Sequence, residues 1–200
     1  YWIKKKNIDA VYDKQQLNES DIEYVISKIK NGKINGINVT VPFKKSVIPF
    51  VNELSSAASE SQSVNTIYYQ SGKVIGHNTD IAGFELGIKH TKYDIKNKIV
   101  FILGAGGVVS SIIIALKKMG ASKIIISNRT KTKTVDLKKI FNELEIVDWG
   151  ETPNFDMVIN ATSIGLTNKD EIRLDYAGAG NNKFFYDVIY NPKETLFLKR

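Results

Sequence analysis

Between residues 99 and 127 the chain reads strand, glycine turn, helix, strand, and that order narrows the fold more than any other feature of it. Ile99 to Leu103 is a continuous apolar run, as expected of a strand buried on both faces of a parallel sheet. Gly104-Ala105-Gly106-Gly107 follows directly. Val108 to Met119 predicts a helix closed by Gly120, and Lys123 to Ser127 a second strand. The β-branched Ile112, Ile113 and Ile114 are modest helix formers. Position decides in favour of the helix, because parallel strands need a crossover between them. Lys131 to Leu144 predicts another helix, with Val135, Ile140 and Phe141 inward. Met157 to Asn160 and Phe184 to Ile189 predict further strands. Alternating β and α elements imply a doubly wound parallel sheet of Rossmann type.

A glycine turn between a buried strand and a helix is built to hold a dinucleotide. Gly104 permits the tight turn, and Gly106 lets the backbone approach a pyrophosphate. The helix N-terminus then offers unpaired N–H groups and a positive dipole end. The candidate cradle is Gly104, Ala105, Gly106, Gly107 and Val108. The third glycine of G-x-G-x-x-G is replaced by Val109, whose side chain must be accommodated where helix and strand pack closely. The end of the second strand chooses the cofactor. An NAD site usually carries Asp or Glu there, accepting from the ribose 2′-hydroxyl. This chain has Asn128, Arg129 and Thr130, then Lys131 and Lys133, with nothing acidic to repel a 2′-phosphate. Arg129 can grip that phosphate through charge-assisted hydrogen bonds, so NADP is the expected cofactor.

The first eighty residues read differently. Ser20-Asp21-Ile22-Glu23 has the spacing of a capping box, and Ile22, Val25, Ile26 and Ile29 give the following helix one apolar face. Gly32 is a plausible stop. Ile37, Val39 and Val41 alternate with Asn38 and Thr40 as in a strand that Pro42 ends. Phe43 to Val51 predicts a short helix despite Pro49. Val64 to Tyr69 and Lys73 to Gly76 predict two strands joined at Gln70-Ser71-Gly72, and Ile81 to His90 a helix.

Polar side chains gather where these elements begin or end. Asn38, Thr40 and Lys44 surround the end of one strand, Asn65 and Thr66 lie early in the next, and Asn78-Thr79-Asp80 opens the helix between the halves. Taken singly, Asp80 is a helix cap and Lys44 a surface lysine. Together they supply what an alcohol–ketone redox site needs. A proton donor meets the oxygen that gains charge as hydride reaches carbon, a carboxylate orients it, and small polar groups hold the other hydroxyls.

Composition removes other classes. The 200 residues are 42% hydrophobic and 24% charged, ordinary for a globular protein and against intrinsic disorder. There is no cysteine, which excludes thiol chemistry and a disulfide scaffold and fits a cytoplasmic setting. No apolar run reaches the roughly 18 residues of a membrane span. The net charge of +7 comes from scattered lysines, with Arg129, Arg173 and Arg200 the three arginines, so no nucleic-acid partner is expected. No metal is expected, and a homodimer is possible.

Seven ordered motifs carry a family resemblance. They are Asn38-Val39-Thr40-Val41-Pro42-Phe43-Lys44, Val64-Asn65-Thr66, Gly76-His77-Asn78-Thr79-Asp80, Gly104-Ala105-Gly106-Gly107, Asn128-Arg129-Thr130, Asn160-Ala161-Thr162-Ser163 and Tyr186-Asp187-Val188-Ile189-Tyr190. Over nearly the whole chain the sequence resembles the shikimate dehydrogenases. The resemblance implies reversible NADPH-dependent reduction of 3-dehydroshikimate to shikimate, in the pathway to aromatic amino acids. It implies Lys44 as the catalytic lysine and Asp80 as its partner, also touching the substrate. It implies Thr40, Asn65 and Tyr190 as further substrate contacts, and Thr162, Ser163 and Val188 along the cofactor. It gives His77 no catalytic role. The expected architecture is an α/β substrate-binding domain, residues 1–80, lacking its first strand. Residues 81–200 would form a linking helix and a Rossmann domain lacking its C-terminal helices. The family's N-terminal Ser-x-Ser and late glutamine, which hold the substrate, have no counterpart here, and Ser56 replaces an acidic residue common after the lysine. This stretch is therefore expected to bind shikimate poorly by itself. The rival readings are a quinate/shikimate dehydrogenase using NAD and a non-catalytic nucleotide-binding relative; Arg129 speaks against the first, Lys44 and Asp80 against the second.

Overall fold

The computed structural model describes residues 2–167 and 171–199. The first part of the chain builds a four-stranded sheet from β1 (Gly36–Asn38), β2 (Glu53–Leu54), β3 (Thr66–Gln70) and β4 (Lys73–His77), in the order β1-β3-β4-β2. β3 runs antiparallel to both β1 and β4, while β2 is parallel to β4. The β3–β4 hairpin turns through Ser71 and Gly72, both at positive φ, as a two-residue hairpin loop requires. The helices of this half are α1 (Trp2–Lys5), α2 (Ile22–Lys30) and α3 (Ser56–Ser61). Ile22, Val25, Ile26 and Ile29 of α2 are buried, as their spacing predicts. Ile22, Ile26 and Ile29 form one core with Val39, Val64, Ile67 and Val74.

Next, α4 (Asp80–Thr91) leads into a five-stranded, wholly parallel sheet. Its strands are β5 (Ile99–Leu103), β6 (Lys123–Ser127), β7 (Glu145–Ile146), β8 (Met157–Asn160) and β9 (Phe184–Asp187), and their order is β7-β6-β5-β8-β9. The chain starts this sheet in the middle, winds outward to one side and then to the other. The strand order therefore reverses between β5 and β8, and a crevice opens at the carboxyl ends of these two strands. α5 (Val109–Lys118) and α6 (Lys131–Ile140) make the first crossovers, and α7 (Leu196–Lys199) follows β9. Ile112, Ile113 and Leu116 of α5 pack with Val100, Ile102 and Ile126 of the sheet, and with Ile81, Phe84 and Ile88 of α4. Val109 is fully buried in that core. The helix–strand contact has absorbed the larger side chain.

Several local expectations are corrected. Phe43 to Val51 is not an α-helix: residues 41–47 are turns, and Ile48–Phe50 is one 3₁₀ turn. Pro49 has no N–H to donate, and the bonds on either side of it close at i−3, from Ile48 N to Lys45 O and from Phe50 N to Val47 O (both 3.1 Å). The cap ahead of α2 involves Asn18 and not Ser20, since Asn18 N donates to the Asp21 carboxylate at 2.8 Å and residues 19–21 form a 3₁₀ turn. The strand expected to reach Val41 ends its ladder at Asn38. α6 stops at Ile140, short of Leu144, and Val135 and Ile140 are 42% and 47% exposed. Thr134, Leu137 and Phe141, at i, i+3 and i+7, define the buried face, and Val135 and Ile140 lie off that stripe. The short elements Glu53–Leu54, Ser56–Ser61 and Glu145–Ile146 were not legible from periodicity.

Candidate active site

Lys44 and Asp80 are 36 residues apart in sequence and meet in space. Lys44 Nζ donates to Asp80 Oδ2 at 2.7 Å, with the two side chains 12% and 20% exposed. Lys44 is held by its backbone, whose carbonyl accepts from Val64 N at 2.7 Å just before β3. Asp80 begins α4, where the dipole favours a carboxylate. Its second oxygen, Oδ1, accepts from Asn65 Nδ2 at 2.8 Å, and Asn65 also bonds the Thr79 hydroxyl and N–H. Both carboxylate oxygens are thus engaged, and the lysine ammonium is fixed in direction.

A chain of polar contacts extends outward from Asn65. Thr66 Oγ donates to Asn65 Oδ1 at 3.0 Å, Asn38 Nδ2 to Thr66 Oγ at 3.4 Å, and Tyr12 Oη to Asn38 Oδ1 at 3.0 Å. Thr40 is exposed and, with Asn38, borders a cleft of about 430 Å³ whose walls include Leu17, Val25 and Phe43. Tyr190 is not part of this cluster's packing; its side chain is 90% exposed. His77 lies at the end of β4, with Nδ1 2.8 Å from Ser55 Oγ.

The glycine turn sits against the same lysine. A Cβ added to Gly107 would lie 3.6 Å from Lys44 Cδ, in ordinary contact with its stem. Gly104 has φ +114°, and a Cβ there would fall 2.7 Å from the Ala161 carbonyl oxygen, which follows β8 across the crevice. Any side chain at Gly104 would therefore strain the closure of the switch point. At Gly106 a Cβ would find nothing nearer than 3.9 Å, so that side of the turn is open. The N-cap of α5 is Val108, which has no side-chain oxygen to cap the first turn. An open glycine and an apolar N-cap leave helix N–H groups for a ligand's phosphates, so these residues fit a dinucleotide.

Around the crevice, Arg129 and Lys133 are exposed beyond β6, while Lys131 is drawn to Asp148 at 2.5 Å. That hydrogen bond, then the charge of Asp148, raises the Lys131 pKa above its ordinary value. Asn128 Nδ2 donates to Thr130 O at 2.9 Å. On the other side, Thr162 N and Oγ both donate to Asn160 Oδ1 (3.0 and 2.7 Å), which pins the loop carrying the exposed Ser163. Val188 N donates to Asn160 O at 3.1 Å. Asn160 in turn bonds the Asp187 carboxylate, which also accepts from Thr195 Oγ at 2.6 Å. Sequence reasoning quoted Asn160 and Asp187 within motifs but missed Thr195, eight residues further on. Among the described residues no His, Asp and Glu cluster could hold a metal ion.

A turn that fits a pyrophosphate, with a lysine–carboxylate pair packed against it, is the arrangement of a class: the two-domain, dinucleotide-binding oxidoreductases. Comparison with known proteins narrows it. Residues 1–67 match the shikimate dehydrogenase substrate binding domain, and residues 85–188 match the shikimate/quinate 5-dehydrogenase model. The chain belongs to the shikimate dehydrogenase family. It is 60% identical over 199 residues to the NADP(+) shikimate dehydrogenase of Pelagibacter ubique, covering all of this chain and 75% of that one. The crystal structure of the Aquifex aeolicus shikimate dehydrogenase superposes with a TM-score of 0.86 at 35% identity, over 98% of this chain and 73% of that one. A shikimate dehydrogenase solved with NADP+ superposes with the same TM-score at 29% identity, over 98% and 72%.

Proposed function

We propose that this chain catalyses the reversible, NADP-dependent interconversion of 3-dehydroshikimate and shikimate, with Lys44 and Asp80 as its acid–base pair. The observation that carries the reading is the 2.7 Å Lys44–Asp80 contact held against the glycine turn. Bound NADPH supplies hydride to the carbonyl carbon in reduction. Lys44 Nζ gives its proton to the carbonyl oxygen as charge develops there, and takes it back in oxidation. Asp80 keeps the ammonium aimed and accepts from a substrate hydroxyl. Asn65, Thr40 and Tyr190 hold the remaining polar groups of the substrate; the 90% exposure of Tyr190 leaves its ring accessible for that contact. Gly104, Ala105, Gly106, Gly107 and Val108 cradle the pyrophosphate, and Arg129, supported by Asn128, Thr130, Lys131 and Lys133, takes the 2′-phosphate. Thr162, Ser163 and Val188 line the cofactor.

The proposed division is a substrate domain to residue 80 and a nucleotide domain from 81. The packing of α4 against α5 supports placing that helix with the second. Small molecules are the partners. No helix among the described residues is long and apolar enough to cross a membrane, and the absence of cysteine suits a reducing cytoplasm.

The test is NADP+ reduction by shikimate in the intact protein, beside NAD+ and quinate and beside Lys44→Ala. Turnover with shikimate and NADP+, lowered on the order of 10²–10⁴-fold by Lys44→Ala, is expected. Faster turnover with NAD+ or quinate would overturn the substrate and cofactor assignment. Full activity in Lys44→Ala would overturn the role of the lysine.

A further inference from the structure

Asn78 lies two residues before Asp80 and is 2% exposed. Its amide joins four parts of the molecule. The two N–H bonds of Nδ2 are shared among Ser63 O at 2.8 Å, Ser111 Oγ at 3.0 Å and Ser61 Oγ at 3.1 Å. Oδ1 accepts from Asp80 N at 2.9 Å and, more weakly, from Ile81 N at 3.4 Å. Each partner has a place in the proposed site. Ser111 is in the first turn of α5, directly behind the glycine turn. Ser63 Oγ donates to Gly107 O at 3.1 Å, so the segment that Asn78 grips also holds the turn itself. Ser63 immediately precedes Val64, whose N–H anchors the Lys44 carbonyl. Ser61, Ser63 and Ser111 are themselves buried, so the bonds that Asn78 Nδ2 makes to them are shielded from water.

We propose that Asn78 is a positioning residue that fixes the acid–base pair against the cofactor-binding turn. The proposal rests on reading Lys44 and Asp80 as that pair. Asp80 hangs from Asn78 by its backbone N–H, Gly107 through Ser63, and α5 through Ser111. Asn78 thereby sets the distance and angle between the proton donor and the cofactor, which are carried by different sheets. A nonpolar residue of similar size could fill the volume but could not link a donor and an acceptor at opposite ends of one amide. Hydride and proton must reach adjacent atoms of one carbonyl, so small errors in that geometry act on turnover while substrate and cofactor still bind.

The experiment measures turnover per NADP+-binding site, counted by titration, in Asn78→Ala, Ser111→Ala and Lys44→Ala of the intact protein. Counting sites removes any loss of folded protein. Ser111→Ala keeps the comparison usable if Asn78→Ala does not fold, because alanine suits a helix and the Asn78 amide retains Ser61 and Ser63 as acceptors. In folded Asn78→Ala, turnover per site falls on the order of tenfold to a hundredfold, and in Ser111→Ala several-fold. The KM for shikimate and for NADP+ stays within about twofold, because the lost interaction acts in the transition state. The inference is overturned if the folded variants keep wild-type turnover per site, or if they lose it only with a matching rise in KM. Undiminished turnover in Lys44→Ala would remove the acid–base reading itself, whatever the other two variants do.

Discussion

Gly104 and Gly106 are two positions apart and differ in what a methyl group would meet. At Gly104 it meets the Ala161 carbonyl at 2.7 Å, on a backbone at φ +114°. Gly104→Ala is expected to lower stability by about 1–3 kcal/mol, seen as a fall in the urea midpoint without cofactor. At Gly106 the nearest atom is 3.9 Å away. Gly106→Ala should leave that midpoint in place and weaken NADP+ binding, because the lost space is the ligand's. Arg129→Ala is expected to raise the NADP+ Kd roughly ten- to a hundredfold and to leave the NAD+ Kd alone, since only one of them carries a 2′-phosphate. Titrating both nucleotides against both proteins checks it. Burial pushes the Tyr186 hydroxyl above its ordinary value near 10. The native state thus favours the neutral phenol. Its contribution to stability is whole below pH 10 and is lost as pH rises through the raised native value. Tyr186→Phe should therefore unfold less steeply than the wild type in alkali, with the rest of the alkaline loss falling partly to Tyr93, raised chiefly by burial and then by Asp156. Equal alkaline midpoints in the two proteins would contradict this.

Among the elements, α3 is short and depends on its ends. Ser55 Oγ accepts from Ala58 N at 3.2 Å, and Gln62 closes the helix in the left-handed region. A six-residue helix has little stability of its own. Ser55→Ala should cost about 1 kcal/mol, measured by denaturant unfolding, and should also release the His77 ring from its 2.8 Å contact. α5 is different in kind. Residues 109–116 are all buried, so it is held by tertiary packing on both sides and tolerates the β-branched run that propensity disfavours.

For the molecule as a whole, two apolar cores hold the fold, one under each sheet, with a further cluster on the second sheet's other face. The exposed lysine–glutamate pairs, such as Lys118–Glu60 and Lys123–Glu145, add little in water. A bound ligand adds to what the cores supply. NADP+ at a hundred times its Kd should add about 2.7 kcal/mol and raise the melting temperature by roughly 5–10 °C, with less effect from NAD+ at the same concentration. A melting temperature that does not respond to NADP+ would contradict the cofactor assignment.

The parallel sheet, the glycine turn and the amphipathic α2 were legible because each is a local pattern: an apolar run, a spacing, a period. That Lys44, Asn65 and Asp80 belong together was legible too, since they stand in ordered motifs, and the structure brings them into hydrogen-bond contact. The extent of α6 and the form of residues 43–51 were not. One depends on which face the sheet covers, and the other on how backbone around Pro49 finds acceptors. Nor could spacing show that Asn78 reaches Ser111 or that Ser63 grips Gly107, because those bonds, of 3.0 and 3.1 Å, join segments 33 and 44 residues apart that only the packing of one half on the other brings together. Sequence alone determined which groups the protein carries, since residue types and local periods are written along the chain. The tertiary structure decided which of them are held in register, since that depends on how two sheets meet.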